Sequence, residues 1–315
     1  MIPVRFRFLP LAAAAILAVS ACTGASSTAK PTATPAPTPT LAPSATPVPA
    51  TPTPLPTAPA SQLVKPGTLT VCSDTEYPPQ EYIDPSTNKP IGSDIDLVAE
   101  IAKRMGLKLD VKTTVFKTII PALTGGTCDI IVSAQTINAD RQKAVDMIPY
   151  FEAGQSFVVL TGNPSHIQAI TDLCGKKVAA EAGTVEAEHI SGGEDYAPAD
   201  TLNAQCKAAG KADITVQIFD ADTAALAALQ AGSVVAHFTD EPVAGYEVVH
   251  GNGAFQVLPS LTLEHAPEGI SVAKNHPELR DAVKAALKSM IADGTYLQIL
   301  TKWGAESGKL STPLQ

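Results

Sequence analysis

After its first 21 residues, this sequence of 315 residues lacks any apolar run of the roughly 18 residues that a membrane-spanning helix needs. It also lacks a cluster of lysines or arginines, and its net charge is −9. An acidic chain without a basic cluster is a poor candidate for binding nucleic acid. We therefore expect no nucleic acid among its partners.

The short motifs of several enzyme classes are missing too. The sequence contains no Gly-x-Ser-x-Gly, no His-Glu-x-x-His and no phosphate-binding P-loop. Its histidines form no metal-binding or catalytic-triad motif, and most of them are expected in loops or at the surface; they are His166, His189, His237, His250, His265 and His276. We expect no catalytic residue, no metal and no cofactor.

The first 21 residues have the pattern of a secretory signal peptide. Arg5 and Arg7 precede the apolar run Leu9–Val19, and small residues follow, as in a segment that is cleaved on export. Val19-Ser20-Ala21-Cys22 resembles the lipobox of bacterial lipoproteins, which implies lipidation of Cys22. An ordinary signal cleaved near Ala21 is the alternative. We expect an extracytoplasmic protein, anchored by lipid to the cell membrane, with a mature charge of about −11 once the two arginines are removed.

Residues 22–62 are predicted to be the lipidated cysteine and a disordered tether. Eleven of the 27 prolines lie between Pro31 and Pro59, among alanine, threonine and serine. Such a composition offers no apolar face that could bury a core. Four cysteines follow the tether, and an even number in an exported chain favours two disulfides. No pair has Cys-x-x-Cys spacing, and three pairings are open.

From Leu63 onward the pattern predicts alternating strands and helices in two α/β sets, each with a mainly parallel sheet flanked by helices. Ser93, followed by Asp96, is expected to cap the first helix. A small-molecule site between the two sets is expected. The predicted strands are 69–72, 109–115, 129–133, 156–160, 177–180, 214–219, 234–239 and 269–273, and the helices between and after them are 93–105, 118–123, 140–145, 185–190, 200–209 and 223–230, with two more ending near Trp303.

The order of several short motifs is more specific than any one of them. The chain contains, in order, 71-VCSDTEYPP-79, 92-GSDIDL-97, 120-IPAL-123, 129-DIIVS-133, 136-TINADR-141, 172-DLCGKKV-178, 183-GT-184, 239-TD-240, 293-DGT-295 and 302-KWG-304. In this order they resemble the bacterial extracellular solute-binding proteins of family 3, which are the polar amino-acid receptors of ABC importers. The resemblance covers essentially all of residues 65–305.

This resemblance implies a two-lobed fold of the type II periplasmic-binding-protein kind. Lobe 1 is expected at residues 63–158 and 267–315, and lobe 2 at residues 159–266. Two hinge strands should cross between the lobes near Gly154–Leu160 and Glu268–Ala273, and the lobes should close on the ligand.

The resemblance also implies which residues bind an amino acid. Arg141 should bind the ligand carboxylate, since a guanidinium can donate two parallel hydrogen bonds to it. Asp240 should bind the ammonium group. Matched positions that complete these contacts are Ser133, Ala134 through its backbone, Thr136, Thr184 and Val185, the last through its backbone only.

Five further positions are implied to line the pocket for the ligand side chain: Asp74, Tyr77, Ser93, Phe116 and Glu181. Ordinary core packing is the alternative for Tyr77 and Phe116. Gln80 and Gln135 replace apolar residues that are usual in the family, which predicts a roomier and more polar pocket. The two acids favour a polar or cationic amino acid.

The lobes also sort the cysteines. Cys72 and Cys128 fall in lobe 1, and Cys174 and Cys206 fall in lobe 2. Bonds between lobes would oppose hinge motion. The pairs Cys72–Cys128 and Cys174–Cys206 are therefore predicted.

The expected function is the substrate-binding component of an ABC importer, which captures a polar or cationic amino acid by hinge closure. Its partners should be the free amino acid, the membrane permease subunits with their ATPase, and the membrane through the lipid. The protein is expected to be a monomer. Two alternatives are a dehydratase-like periplasmic enzyme on the same scaffold and the sensing module of a signalling protein.

Overall fold

The structure, a computed structural model, describes residues 57–193 and 196–311. The predicted signal peptide, Cys22 and most of the tether lie outside these residues. Within them, no helix combines the length and apolar character needed to span a bilayer. The tether prediction runs slightly too far, because Ala60–Gln62 form a short 3-10 turn and the Gln62 side chain accepts a hydrogen bond from the backbone of Leu279 at 2.9 Å.

Twelve strands and nine α-helices follow one another along the described residues. The strands are β1 Thr68–Ser73, β2 Glu76–Tyr77, β3 Glu81–Asp84, β4 Lys89–Ile91, β5 Lys108–Thr113, β6 Ile130–Ile131, β7 Val145–Leu160, β8 Lys177–Glu181, β9 Thr215–Phe219, β10 Ala236–Asp240, β11 Phe255–Val257 and β12 Leu263–Ala273. The helices are α1 Ser93–Arg104, α2 Ile119–Thr124, α3 Ala139–Ala144, α4 Val185–Ser191, α5 Leu202–Ala208, α6 Asp222–Gln230, α7 Glu241–His250, α8 Pro277–Asp293 and α9 Thr295–Lys302.

The main sheet is mixed, with the strand order β5-β1-β6-β12-β7-β10-β8-β9 and with β11 added along β7. Its two ends are parallel, as β5-β1-β6 and as β10-β8-β9. In the middle, β12 and β7 run antiparallel to each other and to β6 and β10. The α/β prediction is confirmed, and the two parallel ends correspond to the two predicted sets.

Long strands connect the two ends of the sheet. β7 has 16 residues and β12 has 11, and they pair from Val145 opposite Ala273 to Gln155 opposite Leu263. The passage between the ends lies earlier in β7 than predicted, because Gln155 and Val158 already pair with β10. Only the second half of β7 carried a clear strand pattern in the sequence.

Each end of the sheet has its own apolar core. We call the β5-β1-β6 end with α1, α2, α3, α8 and α9 the first lobe, and the β10-β8-β9 end with α4 to α7 the second lobe. The first core includes Leu97, Ile130 and Leu287. The second includes Phe157 and Phe238, whose rings stack with centroids 4.1 Å apart. The lobe boundaries at residues 158 and 266 stay a prediction.

Both predicted disulfides are present, one in each lobe. Cys72 lies in β1 and Cys128 just precedes β6, which is paired with β1, so their Cα atoms are 5.7 Å apart. Cys174 is bonded to Cys206 of α5, with Cα atoms 5.6 Å apart. Neither bond links one lobe to the other, so relative motion of the lobes is not restrained by them.

A second, three-stranded sheet of β2, β3 and β4 was not predicted. This small sheet leads directly into α1, and the start of that helix shows that the predicted capping role of Ser93 is wrong. The helix cap is Gly92, Ser93 is the first helical residue, and no side chain caps the helix. Gly92 has a φ of +136°, and a Cβ there would lie 2.1 Å from the backbone oxygen of Gln80. The close approach of the two backbones leaves no room for a side chain at the cap.

We expect Gly92→Ala to lower the free energy of unfolding by at least about 3 kcal/mol, because it adds a backbone clash to an unfavourable φ. Gly67→Ala is the matched control. Gly67 also has a positive φ, +75°, but a Cβ there meets nothing within 4 Å, and its loss should be about 1 kcal/mol. Urea unfolding of both variants measures the difference, and equal losses would contradict the argument.

Candidate functional site

A small cavity lies between the lobes. Its lining comes from both: Asp74, Tyr77, Phe116, Ala134, Thr136 and Arg141 from the first lobe, and Glu181, Thr184, Val185, Glu186 and Asp240 from the second. Ten of the twelve positions predicted to bind a ligand are among these residues. Asp74 follows the last residue of β1, and Glu181 and Asp240 are the last residues of β8 and β10. The carboxyl ends of parallel strands are where such sheets usually bind ligands.

Arg141 extends from the first lobe to the second. It lies in the first turn of α3, where its backbone N–H donates to the capping side chain of Asn138 at 2.7 Å. Its guanidinium donates to the backbone oxygens of Thr136 at 2.8 Å and Gly183 at 3.0 Å. The guanidinium carbon also lies 5.4 Å from the centre of the Phe116 ring, within cation–π range. These contacts hold the planar guanidinium of Arg141 in the lining of the cavity.

Tyr77 forms the second connection between the lobes. Its hydroxyl donates to Asp240 Oδ2 at 2.8 Å and accepts from the backbone N–H of Asp240 at 3.1 Å. Asp240 is the capping residue of α7 by position, yet its side chain makes no capping hydrogen bond. The carboxylate of Asp240 is therefore turned toward the cavity and Tyr77, not toward its helix.

Asp74 and Glu181 form a pair of carboxyl groups across the cavity. Burial raises the pKa of Asp74 to about 6, and a hydrogen bond from Glu181 opposes that rise. Burial, with the nearby charges of Asp74 and Asp222, raises the pKa of Glu181 to about 11. At neutral pH Glu181 thus keeps its proton and donates it to an ionised Asp74. Asp74 also accepts from the backbone N–H of Phe116 at 2.8 Å.

A second carboxyl pair, Glu186 with Asp240, was missed by the sequence reasoning. Glu186 lies on α4 directly after Val185 and is buried. Burial and the charge of Asp240 raise the pKa of Glu186 well above its usual range, and Glu186 is hydrogen-bonded to Asp240. The pKa of Asp240 is raised by burial to about 6. The available signal for Glu186 in the sequence was its position directly after Val185, the predicted backbone donor.

Two predicted residues do not line the cavity. Ser133 is buried, and its hydroxyl donates to Glu81 at 2.8 Å and accepts from the backbone N–H of Asp74 at the same distance. Ser133 therefore holds the backbone of Asp74 in place without lining the cavity itself. Ser93 is also buried, and its hydroxyl has no hydrogen-bond partner among the described residues.

The backbone of Ala134 lines the cavity, but the predicted donor role is not supported by its geometry. The Ala134 N–H is held by Asp94 at 3.1 Å and by the Tyr150 hydroxyl at 3.2 Å. Its φ is +45°, in the left-handed region. The hydroxyl of Thr184 is also engaged, since it donates to the backbone oxygen of Glu181 at 2.9 Å. Thr184 caps α4, so Val185 begins that helix.

The prediction that Gln80 and Gln135 enlarge the pocket is wrong. Gln80 is fully buried outside the cavity and donates to Glu268 at 2.6 Å. Gln135 accepts from the Ser271 hydroxyl at 2.8 Å. Both amides fasten the crossing strand β12 to the first lobe, and neither contributes to the cavity lining.

Glu268 belongs to a buried acid cluster behind the cavity, together with Glu81 and Asp94. Tyr150 donates to Asp94 at 2.5 Å, and Gln80 contacts Glu268. Burial and the neighbouring carboxylates raise the pKa values of Glu81 and Glu268 well above their usual range. Glu81 and Glu268 therefore keep their protons to a higher pH in the folded protein than in the unfolded chain.

This cluster predicts that stability falls as pH rises. Below the ordinary glutamate pKa near 4.5, both states hold the Glu268 proton; above it, only the folded state does, so unfolding is favoured by up to about 1.4 kcal/mol per pH unit. We expect Glu268→Gln to flatten the fall in unfolding free energy between about pH 5 and 8. Glu76→Gln, at an exposed acid, should keep the wild-type slope. An unchanged slope in Glu268→Gln would refute the assignment.

Comparison with known proteins supplies a family and several relatives. A sequence profile of the bacterial extracellular solute-binding proteins, family 3, matches residues 69–306. An arginine-binding protein of Corynebacterium glutamicum is 31% identical over 252 residues, which is 80% of this chain and 79% of that protein.

Two solved structures share the fold. An ancestral arginine-binding protein bound to glutamine is 36% identical with a TM-score of 0.66, over 76% of this chain and 99% of that one. An ancestral amino-acid-binding protein described as a precursor of cyclohexadienyl dehydratase is 33% identical with a TM-score of 0.64, over 75% of this chain and 95% of that one. The similarity therefore extends across both lobes.

Proposed function

Because this chain belongs to the bacterial extracellular solute-binding proteins, family 3, we propose that its cavity captures a cationic amino acid, with arginine as the best ligand, for delivery to an ABC permease. One observation carries the choice of ligand. Of the eleven described residues that line the cavity, four are acids and one, Arg141, is basic.

The charges of these groups match a ligand of net charge +1. Even when each of the two carboxyl pairs shares one proton, the pairs and Arg141 leave the described lining with a net charge of −1, and release of a shared proton makes that charge more negative. A cationic amino acid neutralises this charge, whereas a neutral one leaves a buried charge uncompensated. An uncompensated buried charge is costly.

Each group of the ligand has a matching partner. The ligand carboxylate is assigned to Arg141, which can bind it through two parallel hydrogen bonds. The α-ammonium is assigned to Asp240 with Glu186, and the side-chain cation to Asp74 with Glu181. The two carboxyl pairs thus provide one acidic partner for each of the two cations of such a ligand. The relatives support this assignment, since one is an arginine-binding protein and another binds glutamine on an arginine-binding scaffold.

Hinge closure follows from where these partners lie. Arg141 and Asp74 belong to the first lobe, and Asp240 and Glu181 belong to the second. A ligand that contacts all four favours the arrangement in which the lobes meet, by its differential affinity for that arrangement. The permease then recognises the joined lobes.

A calorimetric screen of the purified protein tests the proposal. Against the twenty common amino acids, ornithine and citrulline, arginine should bind most tightly. Arg141→Ala and Asp240→Asn should each weaken it by at least about tenfold, as expected for charge-assisted hydrogen bonds. The control Arg280→Ala alters an arginine that pairs with Asp146 and Asp281, and should bind normally. Absence of any amino-acid ligand, or recovery of a chemically converted one, would contradict capture without catalysis.

Selectivity for charge is assigned to Glu181. A side-chain cation between Asp74 and Glu181 would displace their shared proton, and Glu181→Gln removes the second carboxylate that this cation needs. We expect the variant to lose about 10- to 100-fold in arginine affinity and to bind glutamine almost unchanged. Glu76→Gln makes the same substitution at an exposed position and should alter neither. Equal losses for arginine and glutamine in Glu181→Gln would show that Glu181 does not read ligand charge.

We further propose that lipid on Cys22 anchors the protein outside the cytoplasm, on the strength of the lipobox-like Val19-Ser20-Ala21-Cys22. The Pro-rich residues 23–56 would then separate the binding lobes from the membrane. Mass spectrometry of the N-terminal peptide of the exported protein decides between a lipidated Cys22 and an ordinary cleavage near Ala21.

A further inference from the structure

Beside the ligand cavity, the two lobes meet at a residue that has no side chain. Gly183 lies in the second lobe, between β8 and α4. A Cβ added to Gly183 would lie 3.0 Å from the Cα of Lys117 and 3.2 Å from the Cβ of Lys117. Lys117 belongs to the first lobe, in the 3-10 turn Phe116–Thr118 that precedes α2. Gly183 and Lys117 are both exposed, and we call their approach the rim contact.

The backbone on each side of the rim contact is fixed within its own lobe. In the second lobe, the backbone N–H of Ala182 donates to the backbone oxygen of Phe219 at 2.8 Å, and Thr184 caps α4. In the first lobe, the backbone N–H of Phe116 donates to Asp74 at 2.8 Å. Neither backbone can therefore move far by itself, and a change in their separation has to move one lobe relative to the other.

An ion pair next to the rim contact also connects the lobes. The ammonium group of Lys117 pairs with Asp220, which directly follows β9 in the second lobe. The side chains are 47% and 74% exposed, and ion pairs at such exposed positions contribute little to stability. The ion pair therefore marks the place where the lobes meet, while the fit of the two backbones decides how closely they can approach.

Arg141 is held at the place where the rim contact brings the lobes together. Its guanidinium donates to the backbone oxygen of Gly183 at 3.0 Å and lies 5.4 Å from the centre of the Phe116 ring. Carbon atoms that are not bonded to each other prefer a separation of about 3.5–4.0 Å, so a side chain on Gly183 would push the backbones apart by about 0.5–1 Å. The oxygen of Gly183 would then lie beyond the roughly 3.2 Å that a good hydrogen bond from Arg141 allows.

We infer that Gly183 is a positioning residue for ligand binding, because its lack of a side chain lets the lobes close far enough to hold Arg141 between them. This role rests on the proposed closure of the lobes around a ligand. Gly183 need not touch the ligand itself. It acts through Arg141, the group assigned to the ligand carboxylate, so any side chain added at Gly183 should weaken closure.

Carbodiimide cross-linking of the purified protein tests this role without any ligand. The reagent joins an amine to a carboxylate that the amine contacts, so the yield of the Lys117–Asp220 product, measured by mass spectrometry of peptides, reports how often the lobes meet. Gly183→Ala should lower this yield at least about fivefold, because the closed arrangement loses population. Lys274 and Asp146 form a pair at 3.1 Å on the first-lobe side of β7 and β12, and their product should keep its yield in every variant.

Two further variants separate the clash from backbone strain. Gly183 has a φ of +85°, so alanine there is strained whatever it meets. Gly232 of the same lobe has a φ of +72°, and a Cβ there meets nothing within 4 Å among the described residues. Gly232→Ala therefore carries the strain alone and should keep the wild-type yield. Gly183→Asn tolerates a positive φ better but still adds a Cβ, and it should lose the product as Gly183→Ala does.

Titration with arginine gives a second readout. Gly183→Ala should bind arginine at least about tenfold more weakly, as expected for the loss of one charge-assisted hydrogen bond, and Gly232→Ala should bind it normally. A wild type that binds no amino acid would refute the proposed function and leave the cross-linking comparison intact. Equal Lys117–Asp220 yields in folded Gly183→Ala, Gly183→Asn and Gly232→Ala would overturn the role of Gly183. Absence of this product from the wild type, both with and without arginine, would overturn it too.

Discussion

The excess of buried acid over base around the cavity is the constraint on which the rest of the site depends. Four carboxyl groups and one guanidinium line the described cavity, and burial penalises every carboxylate that is not compensated. A proton shared within each of the pairs Asp74–Glu181 and Glu186–Asp240 removes part of this buried negative charge. The cationic ligand that we propose would offset the remainder, so that affinity and charge selectivity would arise from the same imbalance.

The lobes contact each other through polar groups near the ligand cavity. Tyr77 reaches Asp240, and Arg141 reaches the backbone of Gly183. Hydrogen bonds of this kind contribute modestly, since each exchanges with water when the lobes separate. The antiparallel pair of β7 and β12 keeps the lobes joined in either case. Closure can therefore respond to a ligand without threatening the fold.

The sequence predicted the fold class, the disulfides and most of the cavity lining because these depend on motifs in a fixed order. Prediction from the sequence failed where the position of a side chain depends on a close approach of two backbones or on a contact with a residue distant in the chain. Gly92 caps α1 instead of Ser93 because two backbones nearly touch there. Gln80 binds Glu268 and does not line the cavity, because the crossing strand β12 passes beside it. The burial of His237 had no local signal in the sequence, because its partners Asp222 and Glu247 lie on the helices α6 and α7. Such contacts exist only after the chain has folded.

The chain order of the lobes has a consequence for export. The core of the second lobe is built from residues between Phe157 and Leu263, a continuous stretch. The core of the first lobe needs residues near its start, such as Leu69, and residues near the end of the chain, such as Leu300. A chain that emerges from a membrane pore with its N-terminus leading can complete the second lobe first. The first lobe must wait for β12, which pairs with β6, and for α8 and α9, which supply part of its core.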